Sequence, residues 1–398
     1  MIRKLLNLMT FTALGQFLPP LVFLYLSKDL NQETFGEYGL FISFSAVLSI
    51  FLTLKTEILI PVTVDKYERL KLLFKTLTLG LIHSSLLLLI IGVLVIVKKI
   101  NYLFLVAVLY ALLNSIALII HEWNISNNKI NIVGRNKFLI AFFQGLFTII
   151  LSQSISRNPL VIGSLLGMGL SVTILLFLDI NLSDLFKSIK TFKYSVFISS
   201  TKSFIKNYLP GQILNTISGQ SPIWFFGAFF SLEFVGFYTF NEKILGSAFV
   251  LLTKTFVDAL KTEADNMDHK PSKTFSKFLV MTFFTSLFAV ICYQLFGPLI
   301  LEIFQPKNFN QLVNFSRVHI FIFFLAPLGT LSGYFLLYVK RFELELIWQS
   351  LNLILLLICF SSIYLFNLSA YLGLGLFAFT KCVSYSIQIG LARNHKKS

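Results

Sequence analysis

Apolar runs of about twenty residues recur from one end of the chain to the other, separated by short polar stretches. A transmembrane helix needs ~20 mainly apolar residues to cross the hydrocarbon core of a bilayer. Twelve runs of this kind predict twelve membrane-spanning helices and leave no room for a sizeable soluble domain. The predicted spans are residues 5–26, 38–61, 77–97, 102–122, 138–156, 159–179, 204–229, 236–259, 276–298, 315–338, 344–366 and 370–391.

Positive charge falls mainly in alternate loops between these spans. With span ends counted in the adjoining loops, one set of loops holds 23 lysines and arginines and the other set holds 6, while 4 more lie deeper within spans. Cytoplasmic loops of membrane proteins carry the excess of Lys and Arg. The distribution therefore predicts an even number of spans, with both termini in the cytoplasm.

The longest predominantly polar stretch is residues 181–203, on the predicted cytoplasmic side. Its lysines, spaced among apolar residues, are typical of a short amphipathic helix lying on the membrane surface. We interpret it as a linker between an N-terminal six-helix lobe, residues 1–180, and a C-terminal six-helix lobe, residues 204–398.

Two short matches indicate that the lobes are repeats. Phe35-Gly36-Glu37-Tyr38 and Val235-Gly236-Phe237-Tyr238 lie 200 residues apart, and Lys55-Thr56 and Lys254-Thr255 lie 199 apart. Six spans restore the original orientation, so the repeat is parallel, about an axis along the membrane normal. The predicted fold class is an all-α polytopic membrane protein of about twelve helices, in two pseudo-symmetric six-helix lobes around a central cavity.

Composition supports lipid as the solvent. The chain is 56% hydrophobic, has a mean hydropathy of +0.79, and is 13% charged, about half the usual share of soluble domains. The formal net charge of +15 would suggest nucleic acid in a soluble protein. Here we attribute it to loops that face the anionic cytoplasmic leaflet, and we expect no nucleic-acid partner.

No catalytic motif is present: the sequence has no HExxH, no Walker A loop and no GxSxG. The three cysteines lie in apolar runs without a CxxC pair, which indicates packing residues. Glycines 163, 167 and 169 in the sixth predicted span indicate close helix packing. We therefore expect no catalytic residues, no metal site and no cofactor.

Polar residues recur about every fourth position in the first, second, seventh and eighth spans, so in each span they share one helix face. A charge at the bilayer centre costs roughly 2.5–3.5 kcal/mol. These faces are therefore predicted to line a wet cavity instead of facing lipid. The candidate substrate-binding residues are Gln16, Lys55, Glu57, Gln212, Asn215, Thr216, Gln220, Lys243, Lys254 and Asp258.

Simpler roles remain open for several of these charges. Lys55 and Lys254 lie near the predicted cytoplasmic ends of their spans, from which a lysine can extend to the interface. Lys254 and Asp258 have the spacing of an i,i+4 ion pair. For Lys381, in the last span, an interhelical hydrogen bond and a cavity role are equally compatible with the sequence.

Three segments resemble a known family. They are Tyr25-Leu26-Ser27-Lys28-Asp29-Leu30 with Glu33-Thr34-Phe35-Gly36-Glu37-Tyr38-Gly39-Leu40, then Lys55-Thr56-Glu57, then Val235-Gly236-Phe237-Tyr238 with Glu242-Lys243-Ile244. Together they resemble the polysaccharide biosynthesis (O-antigen flippase, Wzx-type) family of the multidrug/oligosaccharidyl-lipid/polysaccharide exporter superfamily. The resemblance implies two six-helix bundles around a V-shaped cavity. It implies flipping of undecaprenyl-diphosphate-linked repeat units of O-antigen, capsule or a similar surface polysaccharide across a bacterial inner membrane.

By position, the resemblance also implies that Lys55 and Lys254, and next Lys243, hold the diphosphate. The expected partners are the lipid-linked glycan, membrane lipids and other polysaccharide assembly proteins. Coupling to a proton or a sodium gradient is left open. The flippase would break no bond, so we expect a transporter and not an enzyme.

Two other functions stay as alternatives. A drug or cation antiporter of the same superfamily would favour acidic cavity residues, of which Glu57, Glu242 and Asp258 are available. A membrane O-antigen polymerase would show a large outer loop bearing catalytic residues. The longest predicted outer loop, about 299–314, offers only Glu302 and Lys307.

Overall fold

The structure, a computed structural model, describes residues 2–63, 65–98, 101–127, 129–154, 158–180, 182–262, 271–339 and 341–394. Within these ranges the regular structure is helical. In chain order the helices are α1 (Ile2–Leu26), α2 (Gln32–Thr53), α3 (Leu59–Val62), α4 (Lys66–Ile96), α5 (Leu103–Ser126), α6 (Ile130–Gln153), α7 (Pro159–Asp179), α8 (Leu182–Thr191), α9 (Tyr194–Asn207), α10 (Leu209–Phe229), α11 (Leu232–Asn241), α12 (Ser247–Thr262), α13 (Pro271–Phe304), α14 (Phe309–Tyr338), α15 (Phe342–Leu365) and α16 (Ala370–Asn394). A 3₁₀ turn, Thr56–Ile58, precedes α3, and a π-helical segment, Glu242–Gly246, joins α11 to α12.

The prediction of an all-α polytopic membrane protein is confirmed. Each of the twelve predicted spans coincides with one helix or with two or three consecutive helical segments. Nine of the helices in the described part of the chain are long and apolar enough to cross a membrane. Helix starts follow local chemistry: the Asp65 carboxylate accepts the backbone N–H of Glu68 at α4, and the Ser231 hydroxyl accepts that of Phe234 at α11.

Two predicted spans differ from the helices in their boundaries. The second span, predicted to run to residue 61, stops at Thr53, because Leu54 and Lys55 take left-handed conformations. The seventh span begins at Leu209, with Pro210 in its first turn, a position that suits proline. The residues before it form the separate helices α8 and α9.

The chain forms two compact units: one comprises Met1–Val22 and Glu37–Gln220, and the other comprises Phe23–Gly36 and Ser221–Ser398. In the first unit, buried residues of α4, α5 and α7 make one apolar core, with Leu73, Ile120 and Val172 among its members. Helices α6 and α7 approach closely because Gly163 and Gly167 face the backbone of Thr148 and Gln144. The predicted role of these glycines in helix packing is therefore confirmed.

Aromatic packing organises the second unit. The Phe226 ring lies 5.3 to 5.9 Å, between centroids, from the rings of Phe234, Tyr238, Phe360 and Phe377. Edge-to-face contacts of this kind stabilise beyond simple area burial. A separate apolar cluster joins α12, α13, α14 and α16.

The second unit also contains the turn between α1 and α2 (the α1–α2 turn, residues 23–36), which packs against α11. Gly36 faces the carbonyl of Leu232, and Gly236 faces the carbonyl of Gln32. Each member of this crossing lies 200 residues from its counterpart, the same offset as the sequence repeat. Only glycine allows two helix backbones to approach this closely, which gives the matched Gly36 and Gly236 a physical role.

Candidate functional site

A charged cluster in the first unit forms where α2 ends. Leu54 and Lys55 have φ angles of 51° and 58°, a conformation that is uncommon for residues other than glycine. The turn brings Lys55 Nζ to 3.6 Å from Glu57 Oε1, with the Glu57 side chain 5% exposed and that of Lys55 20% exposed. The Thr56 hydroxyl fixes the turn, since it donates to the Thr53 carbonyl and lies 3.1 Å from the Thr76 hydroxyl of α4.

Further groups surround this ion pair. Glu122 of α5 lies near enough to Glu57, Lys55 and Lys137 to interact electrostatically with all three. Tyr208, between α9 and α10, likewise interacts with Glu57. The second carboxylate oxygen of Glu57 is buried and has no hydrogen-bond partner among the described residues. The cluster balances two cations against two carboxylates, and it retains one unused buried acceptor.

Polar candidates on two other helices of this unit occupy less buried positions. Gln212, Thr216 and Gln220 are half-buried on α10, and Asn215 is exposed. Their spacing of four residues keeps the first three on one helix face. Gln16 of α1 is half-buried and its Oε1 is buried without a partner in the described structure, so this amide also has an unused acceptor.

A second cluster lies in the second unit, where a buried histidine meets a glutamate whose side chain is 38% exposed. His319 of α14 is completely buried, and its Nε2 lies 3.7 Å from Glu242 Oε1 in the π-helical segment. The Tyr238 hydroxyl donates to the Glu242 carboxylate, and the Tyr238 ring lies 4.8 Å from the His319 ring. π-Helical insertions are rare and occur frequently at functional sites.

Lys381 supplies the positive charge of this second cluster. Its side chain is buried in α16, its Nζ donates to Asn352 Oδ1 of α15 at 3.4 Å, and it interacts electrostatically with Glu242. The Ser384 hydroxyl donates to the same Asn352 oxygen at 2.9 Å. Of the two roles considered for Lys381, the structure shows the interhelical hydrogen bond.

The remaining candidates are placed separately. Lys243 is half-buried beside Glu242, whereas Lys254 is exposed within the continuous helix α12. The side chain of Asp258 lies outside the described residues, so its predicted pairing with Lys254 stays a prediction. Lys55 and Lys254, equivalent in the sequence repeat, therefore occupy different backbone settings: a left-handed turn and a helix interior.

The stripe of hydroxyls on α2 does not line a cavity. Ser45 and Ser49 are buried, and each hydroxyl shares its one proton between the carbonyl one turn back, at 2.7 or 2.8 Å, and a carbonyl of α5, that of Ala107 at 3.2 Å or Ala111 at 3.4 Å. The expectation for this face was wrong, because small hydroxyl residues at a fourfold spacing serve close helix packing equally well.

The sequence pattern did not single out His319 or Asn352. The available signal for each was a polar residue at the start of an apolar run, as in Arg317-Val318-His319-Ile320 and Ser350-Leu351-Asn352-Leu353. Within the described ranges, no group of three or more His, Cys, Asp or Glu side chains is placed to hold a metal ion.

Solved structures resemble the chain over its whole length. An inward-facing multidrug resistance MATE family transporter of the MOP superfamily has 16% identity and a TM-score of 0.67, covering 99% of this chain and 97% of its own. The lipid II flippase MurJ, in an inward closed conformation, has 13% identity and a TM-score of 0.71, covering 100% of this chain and 88% of its own. A MOP superfamily transporter from Pyrococcus furiosus has 14% identity and a TM-score of 0.57, covering 99% of this chain and 96% of its own.

No protein-family model and no curated protein matches the sequence. At identities this low the structural likeness establishes the fold. The chain has the fold of the MATE and MurJ transporters of the MOP superfamily.

Proposed function

We propose that this protein is a flippase that moves undecaprenyl-diphosphate-linked oligosaccharide repeat units across a bacterial inner membrane by alternating access. The observation that carries the proposal is a transporter fold that holds charged clusters within its helical bundles. The Lys55–Glu57 pair occupies one unit, and Glu242 with Lys381 occupies the other. Charges in contact with lipid would be costly, so their positions favour a polar substrate group that passes along the helices.

The chemistry of the substrate follows from the basic residues. A diphosphate is an acceptor-rich anion that lysine binds as a point charge. Lys55 is already paired with Glu57, so a bound diphosphate would compete with that carboxylate for the ammonium group. Lys243 and the exposed Lys254 are the further candidates on the second unit. The lipid tail would stay in the bilayer while the head group moves.

The lipid-linked substrate is supported by the resemblance of the motifs and by the likeness to a lipid II flippase. The same reasoning assigns transport without bond cleavage, and hence no enzymatic role. The proposed partners are the glycan lipid, membrane lipids and other polysaccharide assembly proteins. We propose no cofactor beyond coupling to a proton or sodium gradient, with both termini in the cytoplasm.

A drug or cation antiporter is the second candidate. The observation that favours it is Glu242, a carboxylate that contacts Tyr238 and His319 in an aromatic environment, since organic cations bind carboxylates and aromatic faces. The likeness to multidrug transporters points the same way.

The deciding experiment locates the lipid-linked repeat unit in cells that lack this protein. If the protein is a flippase, the lipid-linked repeat unit accumulates on the cytoplasmic leaflet and surface polysaccharide disappears. If units still reach the outer leaflet and only drug sensitivity changes, the antiporter takes its place. A change in polymer length alone would instead indicate the polymerase.

A further inference from the structure

The helices α8 and α9 present a basic and apolar surface that the transport proposal does not use. Five lysines in these helices and in the link between them are exposed, while the same stretch contains a single acidic residue, Asp184, paired with Lys187 at 3.6 Å. The exposed lysines are Lys187, Lys190, Lys193, Lys202 and Lys206. Between Leu182 and Asn207 the chain therefore carries a strong excess of positive charge.

Large apolar side chains are exposed on the same two helices. Ile189 is 41% exposed, Tyr194 47% and Val196 57%. A surface made only for a nucleic acid or a soluble acidic partner has no need of such residues. Exposed apolar groups interleaved with lysines are instead typical of a helix at the boundary between head groups and acyl chains.

Leu185, Phe197 and the hydroxyl end of the exposed Tyr194 fix both helices to the first unit. Leu185 of α8 packs on the apolar core that contains Leu73 and Ile120. At the start of α9, the Tyr194 hydroxyl lies 3.3 Å from His83 Nε2 of α4, and Phe197 is buried one turn later. The exposed lysines are thus presented by an anchored scaffold on the predicted cytoplasmic side.

We propose that α8 and α9 form a binding surface for anionic phospholipid head groups of the cytoplasmic leaflet. The lysines pair with the lipid phosphates, and Ile189, Tyr194 and Val196 enter the interfacial layer beneath them. This inference does not depend on which substrate is carried.

The position of the surface links lipid binding to the first-unit cluster. Helix α9 ends at Asn207, and the next residue, Tyr208, interacts with Glu57. Helix α10, which carries Gln212 and Thr216, begins directly afterwards. Head groups held on α8 and α9 would therefore fix the residues that lead into α10.

The test uses the full chain in two kinds of nanodisc, one of phosphatidylcholine alone and one of phosphatidylcholine with phosphatidylglycerol at about three to one. Amide hydrogen exchange is followed in residues 182–207. We expect exchange to be several-fold slower in the anionic nanodiscs, since each lysine near such a surface contributes about fivefold in binding. High salt should remove the difference, because exposed charges are screened.

Two triple variants make the test specific. K187Q/K190Q/K193Q should abolish most of the protection by phosphatidylglycerol. K28Q/K98Q/K277Q removes the same charge from exposed lysines elsewhere and should leave the protection intact. Equal exchange in both nanodiscs for the unmodified chain would overturn the proposal and favour a protein partner. Equal effects of the two triple variants would show a net-charge effect and would also overturn it.

Discussion

Replacing Gly236 by alanine should damage the crossing between the α1–α2 turn and α11. A Cβ atom at residue 236 would lie 1.8 Å from the Gln32 carbonyl oxygen, and one at residue 36 would lie 2.1 Å from that of Leu232. Real Cβ atoms do not come within 3.0 Å of such an atom, so the backbones must separate by about 1 Å. Neither obstacle is a flexible side chain, because both are main-chain carbonyls held in helices.

Overpacking of this kind costs about 1–3 kcal/mol. For a unit of this size that corresponds to a fall of about 2–12 °C in the unfolding temperature. The assay is thermal unfolding of the purified protein in detergent. Gly390→Ala is the matched control, since nothing lies within 4 Å of its added Cβ, and it should be neutral or slightly stabilising.

The chain could escape the clash by withdrawing the α1–α2 turn from α11 without unfolding. Maleimide labelling of a Gln32→Cys variant, made in an otherwise cysteine-free background, detects such a withdrawal. Gln32 is 1% exposed, so the cysteine should not react while the turn stays packed. Gly236→Ala should make it reactive, and Gly390→Ala should not. If Gly236→Ala matches the control in both assays, the close crossing described above is not a stable feature of the protein.

Three further predictions concern the two charged clusters and Lys254. Changing Lys55 and Lys254 together to alanine should reduce polysaccharide export at least about tenfold, whereas the double arginine variant retains part of it, since a 1.4 kcal/mol loss is tenfold; full export by the alanine pair would refute a cationic head-group site. Lys381→Met should lower the unfolding free energy by about 1–3 kcal/mol, because Asn352 and Glu242 lose a buried partner. Chemical unfolding measures this change, and an unchanged free energy would show that the hydrogen bond contributes nothing to stability. His319→Phe should preserve or raise stability by up to about 1–2 kcal/mol, since both ring nitrogens are buried without a hydrogen-bond partner in the described structure; a marked loss would reveal that the histidine is needed for packing.

The period of the apolar runs was enough to predict the fold class, because the bilayer fixes the length of each spanning helix. Boundaries failed where backbone geometry overrides hydropathy. Residues 54–61 are apolar enough for a span, yet Leu54 and Lys55 turn the chain before Pro61. The amphipathic stretch was predicted as one short helix, whereas the chain breaks it into α8 and α9.

The candidate site was harder to predict, because a helical wheel shows which residues share a face but not what that face contacts. Ser45 and Ser49 share the face expected of a cavity lining, and they bond to α5 instead. The Lys55–Glu57 pair depends on a left-handed turn that no periodicity encodes. The contact of Glu242 with His319 joins residues 77 positions apart, a separation that only the packing of α14 on the π-helical segment explains.

The boundary between the two units has a mechanical consequence. The chain passes from one unit to the other after Val22, Gly36 and Gln220, and each point lies inside a helix: α1, α2 or α10. Proline and glycine lie at or near all three, with Pro19 and Pro20 in α1, Gly36 itself in α2, and Gly219 and Pro222 in α10.

Helices bend at proline because its missing N–H leaves a carbonyl one turn earlier without its donor, and glycine adds little resistance. Proline and glycine therefore make α1, α2 and α10 easier to bend at these positions, and bending there would redirect the neighbouring side chains. The side chains of Gln16, one turn before Pro20, and of Gln220, next to Gly219 and Pro222, would be redirected first. Two of the proposed substrate-binding side chains, those of Gln16 and Gln220, would thus be reoriented whenever these helices bend.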